Sequence, residues 1–297
     1  MQNPLFYFNR NVDLMCSTVE TWNNTNVILS NISAIHPLNQ IGLIEELFEI
    51  FALKNKRYNS HALTTINVII NNSNSWMTPN ISDMLCSILK NAIRNQKEYV
   101  YSAYKTLILK APSQITVCMP TIIGIIANDV NDINGAVKTN ATDALNLLLK
   151  CSGNNDLNVF IPDILKGLKN SSTIGDAIES LSSCVFVQNI EAPALSMLAP
   201  ILSKGLRSLK TSIKRKTCVI IDNMCKLIEH PKEILPFYVQ FKTLLEQCSE
   251  TISDPEARGI SCKALNTLKS SCNGNEHLTF HTSPKDFDAT INTPDYQ

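Results

Sequence analysis

Apolar side chains return every three or four positions along most of this chain, in paired runs separated by polar breaks. That spacing gathers them on one face of a helix. Ile41, Leu43, Ile44, Leu47, Phe48 and Phe51 form the first clear face, and Lys54, Lys56 and Arg57 close it with cations suited to a carbonyl end. Residues 61–70 predict a second helix, and the Asn-rich run 71–74 predicts a loop. The same statement recurs over 81–92 and 99–109, over 120–126 and 136–149, and over 160–168 and 174–184. Two more hairpins follow between Phe186 and Leu268. Pro193 and Pro255 suit first-turn positions, where a missing N–H costs nothing, and Asp254 suits an N-cap. Pro236-Phe237 is read as the start of the first helix in the last hairpin.

The pairs keep a period. Ala62, Val100, Val137, Ile174, Ile213 and Ala257, each early in a second helix, lie 38, 37, 37, 39 and 44 residues apart. First helices carry their own marker, an apolar residue before proline. Pro120, Pro162, Pro200 and Pro236 are spaced by 42, 38 and 36 residues. Two markers with nearly one period predict a repeat array of the HEAT or armadillo type, and two helices per repeat favour HEAT. A single hairpin cannot bury its apolar face, so neighbours must stack. The expected architecture is an all-α HEAT-repeat superhelical solenoid of about six to seven hairpins over residues 39–271. An Asn-rich segment, 1–38, precedes it, with room for a capping helix over 12–22. The stretch 272–297 loses the apolar period and is expected to be a disordered tail.

Charge narrows the function. Lys plus Arg and Asp plus Glu each number 26, so a globally basic binder is excluded while a local basic face is not. Ten cysteines sit mostly inside apolar helical patterns, with no Cys-x-x-Cys, which fits buried thiols in a reducing compartment. The first residues lack an apolar leader. The longest uncharged run, 111–128, is broken by Pro112 and Pro120, and a span needs roughly 20 apolar residues. The expectation is a soluble, cytoplasmic protein.

One region carries a resemblance. It comprises Phe186 to Leu195, Pro200, Leu202, Gly205-Leu206, Ile213 to Lys216, Val219 to Leu227, Ser253 to Arg258, and Ala264-Leu265. This set resembles the N-terminal HEAT domain of translation elongation factor 3, a ribosome-associated ATPase. A weaker version occurs in the large HEAT activator of the amino-acid-starvation kinase. The resemblance implies docking on the ribosome through ribosomal RNA and protein, or on other translation factors, with a separate ATP-binding cassette protein as a further partner. It does not carry ATP hydrolysis here, because no Gly-Lys-Ser/Thr phosphate loop occurs in the chain.

The candidate contact is Lys204, Arg207, Lys210, Lys214, Arg215 and Lys216, which fall in a stretch free of Asp and Glu. Clustered cations bind phosphates by releasing counterions, and with no aromatic among them the contact would follow charge and shape. Lys54, Lys56 and Arg57, and Lys90, Arg94 and Lys97, read as helix-end features. Asp222 in an apolar helix reads as a polar residue bonded to neighbouring backbone, and Asp254 with Arg258 as a brace at a turn. Cys272, His277 and His281 lack a second cysteine at zinc-finger spacing, and Cys225 has no motif of a nucleophile. Trp22 and Trp76 read as packing residues. No catalytic residue, metal, cofactor, membrane or small-molecule substrate is expected. The alternative to ribosome binding is a general protein–protein scaffold.

Overall fold

A computed structural model describes residues 59–91 and 94–272, with side chains over 66–90 and 97–272. The expectations for segments 1–38, 39–58 and 273–297 lie outside these residues. Within the described residues all repetitive structure is helical, and the longer helices are α1 (Asn59–Asn72), α2 (Thr78–Asn91), α3 (Arg94–Lys110), α4 (Met119–Asp129), α5 (Gly135–Lys150), α6 (Ile161–Lys169), α7 (Ile174–Ser182), α8 (Ala192–Leu206), α9 (Thr211–Cys225), α10 (Pro231–Thr251) and α11 (Pro255–Cys272). The chain divides into two compact units, Met1–Cys151 and Ser152–Gln297.

In the first unit α2 pairs with α3 and α4 with α5 as hairpins. The second helices stack in a row, α1 on α3 and α3 on α5, and α2 touches α4. The three-four spacing fills the interior: Ile66, Ile69 and Ile70 of α1, Val100, Ala103, Tyr104 and Leu107 of α3, and Val137, Ala141, Ala144 and Leu148 of α5 are all buried. Polar ties cross the row. Lys110 at the end of α3 donates to the carbonyls of Ile70 and Asn71, each at 2.6 Å, and to that of Ser73. A cation is favoured there because the last carbonyls of α1 have no partner within their own helix. Burial of this ammonium holds its pKa below the usual lysine range. Buried Tyr104 donates to Ser82 O in α2 at 2.8 Å.

The second unit repeats the plan with three hairpins, α6–α7, α8–α9 and α10–α11. First helices stack as α6, α8, α10 and second helices as α7, α9, α11. Two glycines set the spacing. A Cβ on Gly167 would lie 2.9 Å from Ala177 Cβ and 3.0 Å from Ile201 Cδ1, and one on Gly205 would lie 2.5 Å from Thr217 Oγ1 and 3.1 Å from Ile178 Cδ1. Both sit where a first helix presses on its neighbours, 38 residues apart, like Pro162 and Pro200. The connector between α7 and α8 is fixed by Asp156, whose carboxylate accepts from the Val187 and Gln188 N–H groups at 2.8 and 2.9 Å.

Helix starts follow the capping chemistry. Pro193 lies in the first turn of α8, Pro255 opens α11, and Asp254 Oδ1 accepts from Glu256 N–H at 3.1 Å. One start differs from the expectation. The first helix of the last hairpin begins at Pro231, and Pro236 lies inside α10. Its absent N–H frees the carbonyl of Lys232, and both residues are exposed, so water can satisfy that oxygen.

Candidate nucleic-acid interface

The six cations of the candidate contact sit around one turn of the second unit. Lys204 is in the last turn of α8, Arg207 is its C-cap, Lys210 is the N-cap of α9, and Lys214, Arg215 and Lys216 follow in its first turns. Their environments differ. Arg207 and Lys210 are exposed, and Lys204 is half-buried, with burial lowering its pKa. Arg215 pairs with Glu256 of α11 at 2.7 Å, and Lys216 pairs with Glu179 of α7. Lys204, Lys210 and Lys214 carry no ion pair among the described residues. Leu209, at the tip of the turn, is fully exposed. The turn thus offers three cations without acid partners and two held by acids of the neighbouring helices.

The register of the stack adds two residues that charge clustering alone missed. Lys166-Gly167-Leu168-Lys169 ends α6 as Lys204-Gly205-Leu206-Arg207 ends α8. Because α6 packs on α8, Lys166 and Lys169 stand at the same end of the first-helix row. Both are exposed and carry no ion pair among the described residues. Their signal in the sequence was the recurrence of Lys-Gly-Leu before a cation at a spacing of 38. On the other flank the charge reverses, with Asp254 and Glu256 at the start of α11.

The remaining candidates resolve into structural roles. Asp222, buried in α9, accepts from Lys226 at 2.7 Å and from Thr267 Oγ1 of α11 at 2.6 Å, with Lys263 at 3.6 Å. Its partners are side chains, which corrects the expected bond to backbone. Burial pushes its pKa up, but the bonds from Lys226 and Thr267 and the charge of Lys263 outweigh that and leave it below the ordinary carboxylate value. Lys97 belongs to an ion pair: it binds Asp129 at 2.8 Å, and the buried Tyr101 hydroxyl donates to the same carboxylate. Burial, then the Asp129 charge, drives the Tyr101 pKa far up.

Burial pushes the Cys225 thiol up to about 12, which favours its protonated form at neutral pH. The cysteines described are free, and Cys86, Cys118, Cys218, Cys225, Cys248 and Cys272 are buried. Cys272 is the last residue of α11. Trp76, read as a packing residue, is 44% exposed. Among the described residues no cluster of His, Cys, Asp and Glu could hold a metal ion. No single helix among them is long and apolar enough to cross a membrane.

Paired helices stacked in rows within each unit define a HEAT-repeat solenoid, an all-α class. Residues 173–278, which contain the basic turn, match the family described as the elongation factor 3/GNC1 HEAT repeat. The chain is 33% identical over 221 residues to Elongation factor 3A of Saccharomyces cerevisiae, covering 73% of this chain and 21% of that protein. It is 36% identical over 174 residues to Elongation factor 3B of the same yeast (59% and 17%), and 37% identical over 158 residues to Elongation factor 3 of Phytophthora infestans (53% and 15%). The chain therefore carries a HEAT domain of the elongation factor 3 type. It spans about a fifth of the length of the curated relatives it matches.

Proposed function

We propose that this domain docks on the ribosome through the basic turn, as a non-catalytic binding module. The observation that carries the reading is the set Lys204, Lys210 and Lys214, cations without acid partners grouped at an exposed turn within the region similar to elongation factor 3. Lys166 and Lys169 extend the positive edge. Such an edge attracts the phosphates of ribosomal RNA, and it tracks the backbone rather than bases because no aromatic side chain lies within the turn. Partners of this kind place the protein in the cytoplasm, with ribosomal proteins or other translation factors completing the contact and a separate ATP-binding cassette protein supplying any nucleotide-driven step.

A second reading, a scaffold for protein partners away from the ribosome, is favoured by two observations. Arg215 and Lys216 are already engaged by Glu256 and Glu179, and the fully exposed Leu209 at the tip is an apolar anchor. Co-sedimentation with ribosomes over a salt series separates the readings. Docking through phosphates gives binding that weakens with salt and falls in Lys210→Glu/Lys214→Glu, a variant that leaves both inter-helix ion pairs intact. Absence of binding by the wild type at low salt overturns docking and leaves the scaffold.

A further inference from the structure

We propose that Ser212 is a phosphate-acceptor site for a basic-directed serine/threonine protein kinase, and that its phosphorylation switches the basic turn off. Ser212 is exposed in the first turn of α9, and its hydroxyl has no hydrogen-bond partner among the described residues. Lys210 lies two residues before it, Ile213 directly after it, and Lys214 and Arg215 two and three residues after. A kinase whose peptide groove is acidic selects a hydroxyl flanked by cations in this way, by charge complementarity. The position suits access. A helix end opens at low free energy, and the preceding residues, Arg207 to Lys210, already form an exposed or half-exposed turn outside the helix. In the transfer the Ser212 oxygen bonds to the γ-phosphorus of ATP, the bond from that phosphorus to the bridging oxygen breaks, ADP leaves, and the hydroxyl proton passes to the kinase's base.

The folded protein accommodates the product. The N-cap residue of α9, Lys210, makes no side-chain cap, and while the Ile213 and Lys214 amides donate to its carbonyl, those of Thr211 and Ser212 are open to an acceptor. A dianion in a first turn is favoured by those amides and by the helix dipole. Arg215 and Lys216 lie three and four positions on, the spacing at which side chains meet on a helix surface. They are the two cations now held by Glu256 and Glu179. The phosphate competes with both glutamates, draws the cations onto α9, and adds nearly two negative charges beside Lys210 and Lys214.

The effect on docking rests on the proposed function; the acceptor site itself does not. The test incubates the full chain with a basic-directed kinase and Mg-ATP, maps the phosphate by mass spectrometry, and compares RNA binding before and after, with a ribosomal RNA fragment as probe. The expected result is phosphate on Ser212, loss of that phosphate in Ser212→Ala, transfer slowed about tenfold in Lys210→Ala/Lys214→Ala, and RNA binding weakened about tenfold by the modification with a shallower salt dependence. No phosphate on Ser212, or transfer at equal rate to the lysine variant, overturns the site even where the unmodified protein binds RNA. Stoichiometric phosphate with unchanged RNA binding overturns the switch. Phosphate on Ser212 with no RNA binding by the unmodified protein overturns docking and keeps the acceptor.

Discussion

Arg215 and Lys216 are neighbours in sequence but are bound in opposite directions: Arg215 reaches Glu256 of α11 and Lys216 reaches Glu179 of α7. The middle helix of the row is thereby held by charge on both sides. Each pair is exposed to solvent, so each contributes about 0–1 kcal/mol to stability. The acids matter more as competitors for the cations. Glu179→Gln and Glu256→Gln, alone and together, are expected to tighten binding of an RNA fragment several-fold while moving the melting temperature by only a few degrees. Binding titrations at two salt concentrations check this, and unchanged affinity in the double variant would show that Arg215 and Lys216 stay out of the contact.

Asp222 gives the second unit an acid-sensitive tie between α9 and α11. Its folded pKa lies below the ordinary carboxylate value of 3.8. The stability it supplies is therefore present above that unfolded value and is lost as pH falls through the lower folded one. Asp222→Asn should remove this part of the acid limb and cost about 1–3 kcal/mol at neutral pH, because Thr267 and Lys226 lose a charged acceptor. Denaturant melts of both proteins at pH 7 and pH 3 measure it; the gap between them should narrow in acid.

Gly205 tests the closeness of the stack. Gly205→Ala places a methyl 2.5 Å from Thr217 Oγ1, and the strain should cost about 1–3 kcal/mol against the helix propensity alanine gains. Thr217→Ala removes the atom in conflict, so the double variant should be less destabilised than the sum of the singles, by an interaction energy of about 1 kcal/mol. Strict additivity would mean the helices move apart instead.

In the first unit, Asp129 is a buried carboxylate held by Lys97 and Tyr101. Tyr101→Phe leaves the ion pair and should cost about 1–3 kcal/mol. Lys97→Met leaves the carboxylate without its countercharge and should cost more, about 3–5 kcal/mol. Equilibrium unfolding orders the two variants, and the reverse order would assign the main stabilisation to the hydroxyl.

The hairpins were legible from sequence because burial acts on period directly. Ile178 and Leu181, or Ala141, Leu145 and Leu148, are apolar where they face neighbours. The start of α10 was not legible, because Pro236 has the appearance of an opening residue and lies inside the helix at a position where both it and Lys232 are exposed. The charge cluster was visible, but its division into engaged and unengaged cations was not. Lys216 and Glu179 are 37 residues apart, Arg215 and Glu256 are 41 apart, and Asp222 and Thr267 are 45 apart. Those separations are close to one repeat, so each partnership exists only once the rows stack in register. Lys166 and Lys169 escaped for the same reason, since their nearness to the basic turn comes from α6 lying on α8.

The Lys216–Glu179 and Arg215–Glu256 ties lie on the solvent side of that row, while the apolar faces of the same helices meet the first helices. Ions in solution weaken the outer ties and barely touch the inner packing. The row therefore behaves as a laminate with one salt-soluble layer, which loosens with ionic strength before any helix unfolds.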